Sequence, residues 1–144
     1  MSNRIETIKN VIKNKVAQIT HIRNVYGFDK AYTEGYPYAI VIPESFDGSF
    51  GDFSAISKRN IRNFNFIIRV YVERDEDGFG AEKAQRVIEE TIDEIINTFD
   101  NYTTLGGEVL QVQVISGSFN TLNMGNTIIS ADVLLNCKDI VNAS

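Results

Sequence analysis

The densest group of chemically active side chains is an acidic turn near the middle of the chain. Glu73, Asp75 and Asp77 alternate along the sequence and are followed by Gly78. This pattern resembles the start of a calcium loop, in which alternate carboxylates point inward and a glycine permits the tight turn. Ala84 occupies the position at which such a loop has a bidentate glutamate. The alternative is a solvated turn that places negative charge before a helix N-terminus.

Other motifs lack the residues that would complete them. Gly78 and Gly80 precede Lys83 at a predicted helix start, as in a phosphate-binding turn, but the full glycine fingerprint is absent and acidic residues precede it. His21 and Cys137 are the only histidine and cysteine. They would have to meet in space to form a nucleophilic pair, and the alternative is a surface histidine and a core cysteine. We therefore predict a protein that is not an enzyme, with no cofactor and no resident metal.

A basic stretch with aromatic residues raises the alternative of nucleic-acid binding. Its cations are Lys58, Arg59, Arg62 and Arg69. Phe64 and Phe66 lie among them, but both alternate in step with Ile68, Val70 and Val72, which predicts a buried strand face. The sequence pI of about 4.9 also disfavours a dedicated nucleic-acid module.

The segment 43–59 is the main candidate for a partner-binding surface. Pro, Gly, Ser and Asp dominate it, and Phe46, Phe50 and Phe53 are spaced through it. Exposed aromatic side chains become favourable when a partner covers them, and the alternative is that they fold back onto the sheet. A second loop, from Asn120 to Asn126, has a similar character. The predicted interface comprises Phe46, Phe50, Phe53, Lys58, Arg59, Leu122 and Met124.

Two amphipathic helices and several strands must position these groups. Apolar residues at steps of three and four predict a helix from Asn3 to about Thr20 and a second over 81–99. Extended segments are predicted at 22–28, 38–42, 60–73, 109–119 and 127–137. Pro43 is expected to end the second of these segments, so that 43–59 forms a flexible loop and 138–144 a frayed tail. The order predicts a single α+β domain, residues 1–144, with a mostly antiparallel sheet and both helices on one face.

Composition and charge agree with one globular domain. The chain has 144 residues, 43% of them hydrophobic, and a formal net charge of −5. Residues 1–72 carry ten Lys and Arg against six Asp and Glu, a net of +4, whereas residues 73–144 carry four against thirteen, a net of −9. No apolar run reaches the ~20 residues that span a bilayer, and the first fifteen residues lack a signal-peptide core. We expect a cytoplasmic protein with no membrane partner.

The order of elements resembles the tail terminator and tail completion proteins, the head–tail joining proteins of tailed bacteriophages and related tail-like particles. The resemblance covers nearly the whole chain and is one of pattern rather than of a diagnostic motif. Its features are the first helix, Val25-Tyr26, Gly35-Tyr36-Pro37-Tyr38-Ala39-Ile40-Val41, the strand Arg62 to Val70, the helix Ala81 to Phe99 followed by Asp100, and the closing strand pair.

The resemblance implies a structural virion protein without catalytic residues. Such proteins form a ring, of six copies, on the head-proximal end of the tail tube, where they stop tube growth and offer a surface to the head connector. The expected partners are other copies of the chain, the tail tube protein and the connector, with DNA only passing through the channel. The expected location is the virion tail or neck, after assembly in a bacterial cytoplasm. The alternatives are another neck protein of similar fold or, in a different class, a divalent-metal module using the acidic turn.

Overall fold

A computed structural model places two helices and five strands. It describes residues 3–28, 37–50, 59–73, 78–120 and 128–142, with the side chains of 49, 50, 59, 60, 78–81 and 140–142 excepted. The elements are α1 (Arg4–Val16), β1 (Asn24–Tyr26), β2 (Tyr38–Phe50), β3 (Arg59–Glu73), α2 (Gly78–Asp100), β4 (Gln111–Asn120) and β5 (Ile128–Asn142). The predicted α+β class is confirmed, with one five-stranded, mostly antiparallel sheet in a single domain.

Both helices bury the apolar stripe that their sequence pattern predicts, and α1 begins at a capping residue. Asn3 caps α1, because its side-chain oxygen accepts a hydrogen bond of 2.7 Å from the Glu6 backbone amide. The buried stripe of α1 is formed by Ile8, Ile12 and Val16. On α2 the buried residues include Ala84, Ile88, Thr91, Ile92, Ile95 and Phe99. The two stripes join one hydrophobic cluster with the sheet, so both helices lie on the same sheet face.

The sheet order is β1-β2-β3-β5-β4. β1 runs parallel to β2, and every other neighbouring pair is antiparallel. β3 and β5 are paired over their full lengths and form the centre of the sheet. Alternate residues of both strands face the helices, among them Phe66, Ile68 and Leu135, which are fully buried.

Two β-bulges interrupt the outer strands. The register of β2 against β3 shifts between Pro43 and Ser45, which leaves Glu44 as the extra residue. The register of β4 against β5 shifts between Val114 and Ser116, which leaves Ile115 extra. Each bulge changes the parity of the strand, so that side chains beyond it lie on the other face from the one that simple alternation gives.

Two boundary predictions are wrong. Pro43 does not end the second strand, and residues 43–50 are paired with β3 rather than forming part of a loop. A bulge accommodates proline in a strand, because the ladder is already disrupted there and one amide hydrogen bond is not required. Residues 138–142 are also strand rather than a frayed tail, since Lys138 to Asn142 pair with Asn63 to Arg59. The remainder of the predicted loop, 51–58, lies outside the described residues.

Candidate functional site

The end of β2 at and beyond the bulge, residues 43–50, is one of two exposed stretches of the described sheet, and we call it the β2 arm. Every side chain from Pro43 to Gly48 is exposed. β1 pairs with β2 only from Tyr38 to Ile40, so among the described strands the arm has a neighbour on one side only, β3. The arm therefore presents both faces and one backbone edge to its surroundings.

Phe46 is the predicted interface residue whose side chain the structure places in full. It lies opposite Phe64 of β3, on the face that carries the helices, and is 64% exposed, whereas Phe64 is buried. A small hollow of about 110 Å³ separates it from Ile5 of α1. Phe46 thus reaches past the core without being covered by it, and its partner-facing role stays a prediction.

The other predicted interface residues are placed only in part. Phe50 lies in β2 opposite Asn60, and Arg59 begins β3 opposite Asn142, but neither side chain is among those described. Phe53 and Lys58, like Leu122 and Met124 of the second loop, lie outside the described residues. Their roles stay predictions.

The face of the arm that points away from the helices is polar and ordered by side-chain hydrogen bonds. Asn136 donates to Asn65 at 2.9 Å, and Asn65 donates to Ser45 at 2.9 Å, so that one chain of bonds crosses β5, β3 and β2. Asn63 donates to Asp47 at 2.8 Å in the next rung. These cross-strand pairs stabilise the arm without a hydrophobic core beneath it.

The opposite edge of the sheet, β4, was not singled out by its sequence pattern and is the second exposed surface. None of its ten residues is charged, and Ile115 and Phe119 are 52% and 49% exposed. A groove of about 250 Å³, which we call the edge groove, lies between β4 and α2. It is lined mainly by Ile92, Ile96, Val114, Ile115, Gly117 and Phe119. One feature of the sequence could have indicated this surface: a long strand without charge or proline, which is unusual for an exposed edge.

The larger groove, about 580 Å³, lies between the two helices and is polar. Lys15 and Tyr102 line it on one side, with the Lys15 ammonium 4.5 Å from the Tyr102 ring centre. Glu90 lies 3.2 Å from His21, and Glu94 accepts a hydrogen bond of 3.1 Å from the Thr20 hydroxyl. These carboxylates are thereby used to fasten the chain that follows α1.

The structure separates the residues considered for nucleophilic chemistry. Cys137 is fully buried in the core, and its burial raises the pKa of its thiol to about 12, so that the reactive thiolate is strongly disfavoured. His21 is partly exposed and contacts Glu90 rather than Cys137. The core-cysteine alternative is confirmed, and the two residues do not form a nucleophilic pair.

The basic residues of β3 do not line one continuous surface that could follow a nucleic-acid backbone. Arg62 and Arg69 lie on opposite faces of the strand by register. Arg69 forms a side-on ion pair with Asp132, with Nε to Oδ1 at 2.6 Å and Nη2 to Oδ2 at 3.1 Å. The hydrogen bond from Arg69 to Asp132 raises the pKa of the guanidinium, although partial burial opposes the shift. Phe64 and Phe66 are buried as predicted and are not available to stack on bases.

Within the described ranges, no group of three or more His, Cys, Asp or Glu side chains is arranged to hold a metal ion. Of the acidic turn, Glu73 is exposed at the end of β3, whereas Asp75 and Asp77 lie outside those ranges. Neither described helix is long and apolar enough to cross a bilayer.

The fold and its surfaces define a small α+β domain with two exposed sheet edges. Comparison with models of protein families and with curated proteins found no match to this chain.

Proposed function

We propose that the protein is a structural assembly subunit that forms a ring with copies of itself and terminates a phage-type tail tube. In this role the ring caps the tube, gives the head connector a joining surface and lets DNA pass through its channel. The observation that carries the proposal is the β2 arm, in which Phe46 is 64% exposed on a strand extension whose one neighbour among the described strands is β3.

The arm supports a role in assembly because it is ordered but incompletely covered. Two antiparallel strands that are exposed on both faces are marginally stable on their own in water. Here β3 is the strand that pairs with the arm, and residues Lys138 to Asn142 of β5 lie beside it on its other edge and keep it paired. A large aromatic side chain held outward on such a rigid extension is the kind of anchor that dominates protein–protein interfaces.

The charge of the chain supports passage of DNA rather than its recognition. A net charge of −5 repels the phosphate backbone, and the paired Arg69 is neutralised by Asp132. A ring of such subunits would allow DNA to slide without sticking. The closest alternative within the same class is a neck or tail completion protein of similar fold, which would bind the connector without limiting tube length.

Tube assembly in vitro separates these two roles. The tail tube protein of the same genome is polymerised with and without the purified chain, and tube lengths are measured by negative-stain electron microscopy. A terminator gives rings on one tube end and stops further growth. Phe46→Asp is expected to lose this effect, whereas the control Ile128→Lys, at a position of β5 that is 40% exposed on the other sheet face, keeps it. Unchanged tube growth in the presence of the wild-type chain would contradict the terminator role, and binding to the connector alone would favour the neck protein.

A further inference from the structure

The charge asymmetry of the sequence coincides with the two sides of the sheet. Among the described residues, the half that contains α1, β1, β2 and nearly all of β3 has eight Lys and Arg against three Asp and Glu, and the half that contains α2, β4 and β5 has three against ten. Because the strand order is β1-β2-β3-β5-β4, the boundary between the halves runs down the middle of the sheet. One edge of the domain is therefore basic in sum and the other acidic, which favours head-to-tail association over the pairing of like edges.

Two of the α1 lysines, Lys9 and Lys15, make contacts with neutral groups. In the described part of the chain, no lysine of α1 forms an ion pair with a carboxylate of α2. Lys9 donates to the Gly27 carbonyl and Lys15 lies over the ring of Tyr102. The two helices therefore do not neutralise each other through direct contacts within one subunit.

The β4 edge lacks the charged side chains and proline that commonly protect an exposed strand. Proteins protect such edges with charged side chains, proline, a β-bulge or a covering element. β4 has no charge and no proline over Gln111 to Asn120, and among the described elements it is covered only at its start, where the Val112 amide donates to the Thr103 carbonyl at 2.6 Å. The bulge at Ile115 divides the remaining edge but leaves its apolar side chains exposed.

The exposed phenyl group of Phe46 and the edge groove lie on the same face of the sheet, at its opposite edges. Phe46 is on the helix side of the β2 arm, and the edge groove is on the helix side of β4, between Phe119 and Ile92. The groove volume of about 250 Å³ exceeds the roughly 150 Å³ apolar cavity that accommodates benzene. When sheets of two copies continue edge to edge, their helix faces lie on the same side, so the phenyl ring of one copy and the groove of the next are on the same side of the junction.

Strand direction also permits this junction. β2 and β5 run in one direction, and β3 and β4 run in the other. A rotation about an axis along the strands brings the β2 arm of one copy beside β4 of its neighbour in antiparallel orientation. Strands that tilt relative to a ring axis are staggered at each junction, so the arm can slide along β4 until Phe46 reaches the edge groove.

We propose that the β2 arm of each copy lies along the β4 edge of the next copy, with Phe46 inserted in the edge groove between α2 and β4. The junction is heterologous and uses β-strand addition for affinity and one aromatic anchor for register. This inference rests on the proposed ring and names the surfaces that form it.

Mass photometry and sedimentation velocity over a concentration series test the contact. Phe46→Asp and Ile115→Lys are expected to weaken self-association by roughly ten-fold or more, because each places a charge in an apolar junction. Ile128→Lys makes the same substitution as Ile115→Lys but on the other sheet face, so it is the matched control for that variant and is expected to stay within about two-fold of wild type. Circular dichroism melting shows that each variant is folded.

Crosslinking tests the direction of the contact. Phe46→Cys and Phe119→Cys chains are purified separately, mixed and treated with a short bis-maleimide. Cys137 is buried, so the engineered thiols react first. The mixture is expected to give a crosslinked dimer, whereas Phe46→Cys alone, and Phe46→Cys mixed with Ile128→Cys, give none.

The outcomes separate this inference from the proposed function. Wild-type assembly that is unaffected by both charged variants, or no crosslink in the Phe46 and Phe119 mixture, would overturn the docking arrangement while leaving a ring in place. A crosslink in Phe46→Cys alone would show a two-fold contact between arms and would also overturn it. A wild-type chain that stays monomeric at every concentration, with and without tail tubes, would remove the ring itself.

Discussion

Arg4 and Asp139 form an ion pair that fastens the first turn of α1 to the far end of β5. Arg4 Nε lies 2.7 Å from Asp139 Oδ2 across 135 positions of sequence. The same guanidinium contacts the Glu108 carboxylate at 3.1 Å and also donates to the Glu108 carbonyl. The hydrogen bond to Asp139 raises the pKa of Arg4, against a smaller opposing effect of burial. The contact closes the end of the domain from which the β2 arm extends.

Removal of the Arg4 cation should destabilise the domain. Asp139 is 6% exposed, so Arg4→Met leaves a carboxylate in a largely buried position without its main donor. We expect the free energy of unfolding to fall by about 1–2 kcal/mol, at the lower end for a buried charge because Arg4 itself is partly exposed. Urea denaturation measures the change. Arg86→Met, at an exposed position of α2, is the control, and equal stability of the two variants would contradict a structural role for the pair.

Gly117 should be intolerant of any side chain. A Cβ atom at this position would lie 2.5 Å from the backbone carbonyl oxygen of Asp132 in β5, which cannot move without disturbing the ladder. Gly117→Ala is expected to lower stability by roughly 1–3 kcal/mol. At Gly48 the nearest atoms belong to the flexible Arg62 side chain at 3.6 Å, so Gly48→Ala should be near neutral in the same thermal and urea melts. If Gly117→Ala were as stable as wild type, the backbone of β4 at Gly117 would have to lie farther from the Asp132 carbonyl oxygen than it does here.

Burial of the Cys137 thiol should make stability fall at high pH. Its folded pKa, about 12, is above the unfolded value of 9.0, so the stabilisation is complete below pH 9 and is lost as the pH rises towards 12. The thiol contributes a slope of roughly 1.4 kcal/mol per pH unit in that window. We expect the stability advantage of wild type over Cys137→Ala to shrink between pH 8 and pH 11. A constant difference would be inconsistent with a buried neutral thiol.

The reactivity of Cys137 provides an independent measurement. A thiol reagent at pH 8 should label the denatured chain fully and the native chain only at the rate of unfolding, because the fully buried side chain is not accessible. The engineered Phe46→Cys chain supplies an exposed thiol as an internal comparison. Rapid labelling of native wild type would place Cys137 at the surface.

Self-association should weaken as salt is added. Head-to-tail contact brings the basic side of one copy to the acidic side of the next, and exposed charges are screened within about 10 Å at 0.1 M salt. We expect the association constant to fall several-fold between 50 and 500 mM NaCl. Sedimentation velocity measures it, with uncharged sucrose at matched density as the control. Salt-independent assembly would indicate that apolar contacts alone hold the copies together.

The sequence by itself predicted the two helices, the central strand β3 and the α+β class. Period-three-and-four apolar spacing around Ile8 and Ile12, and strict alternation from Phe64 to Val72, are local patterns that follow from helix and strand geometry. The start of α1 near Asn3 and the core position of Cys137, one of the alternatives considered for it, follow from the same local reasoning. These features need no knowledge of the pairing partner.

The two bulges and the true ends of β2 and β5 required the tertiary structure. Whether residues beyond Pro43 are strand depends on β3 being present to pair with them, and β3 in turn continues because β5 lies on its other side. The bulge at Glu44 decides which face Phe46 takes, and a one-residue shift in register moves a side chain to the other face.

For the candidate binding surfaces, too, one part could be predicted from the sequence and the other required the tertiary structure. Sequence composition indicated Phe46 as a partner-facing residue, because an aromatic residue among Gly, Ser and Asp has few apolar neighbours in the sequence. The edge groove could not be predicted, since Ile92 and Phe119 are distant in sequence and share a groove only after α2 packs beside β4. The sequence also contained the charge split of +4 and −9, but only the strand order assigned the two halves to opposite edges of one sheet. Local pattern determines the elements, whereas edges and grooves are properties of their packing.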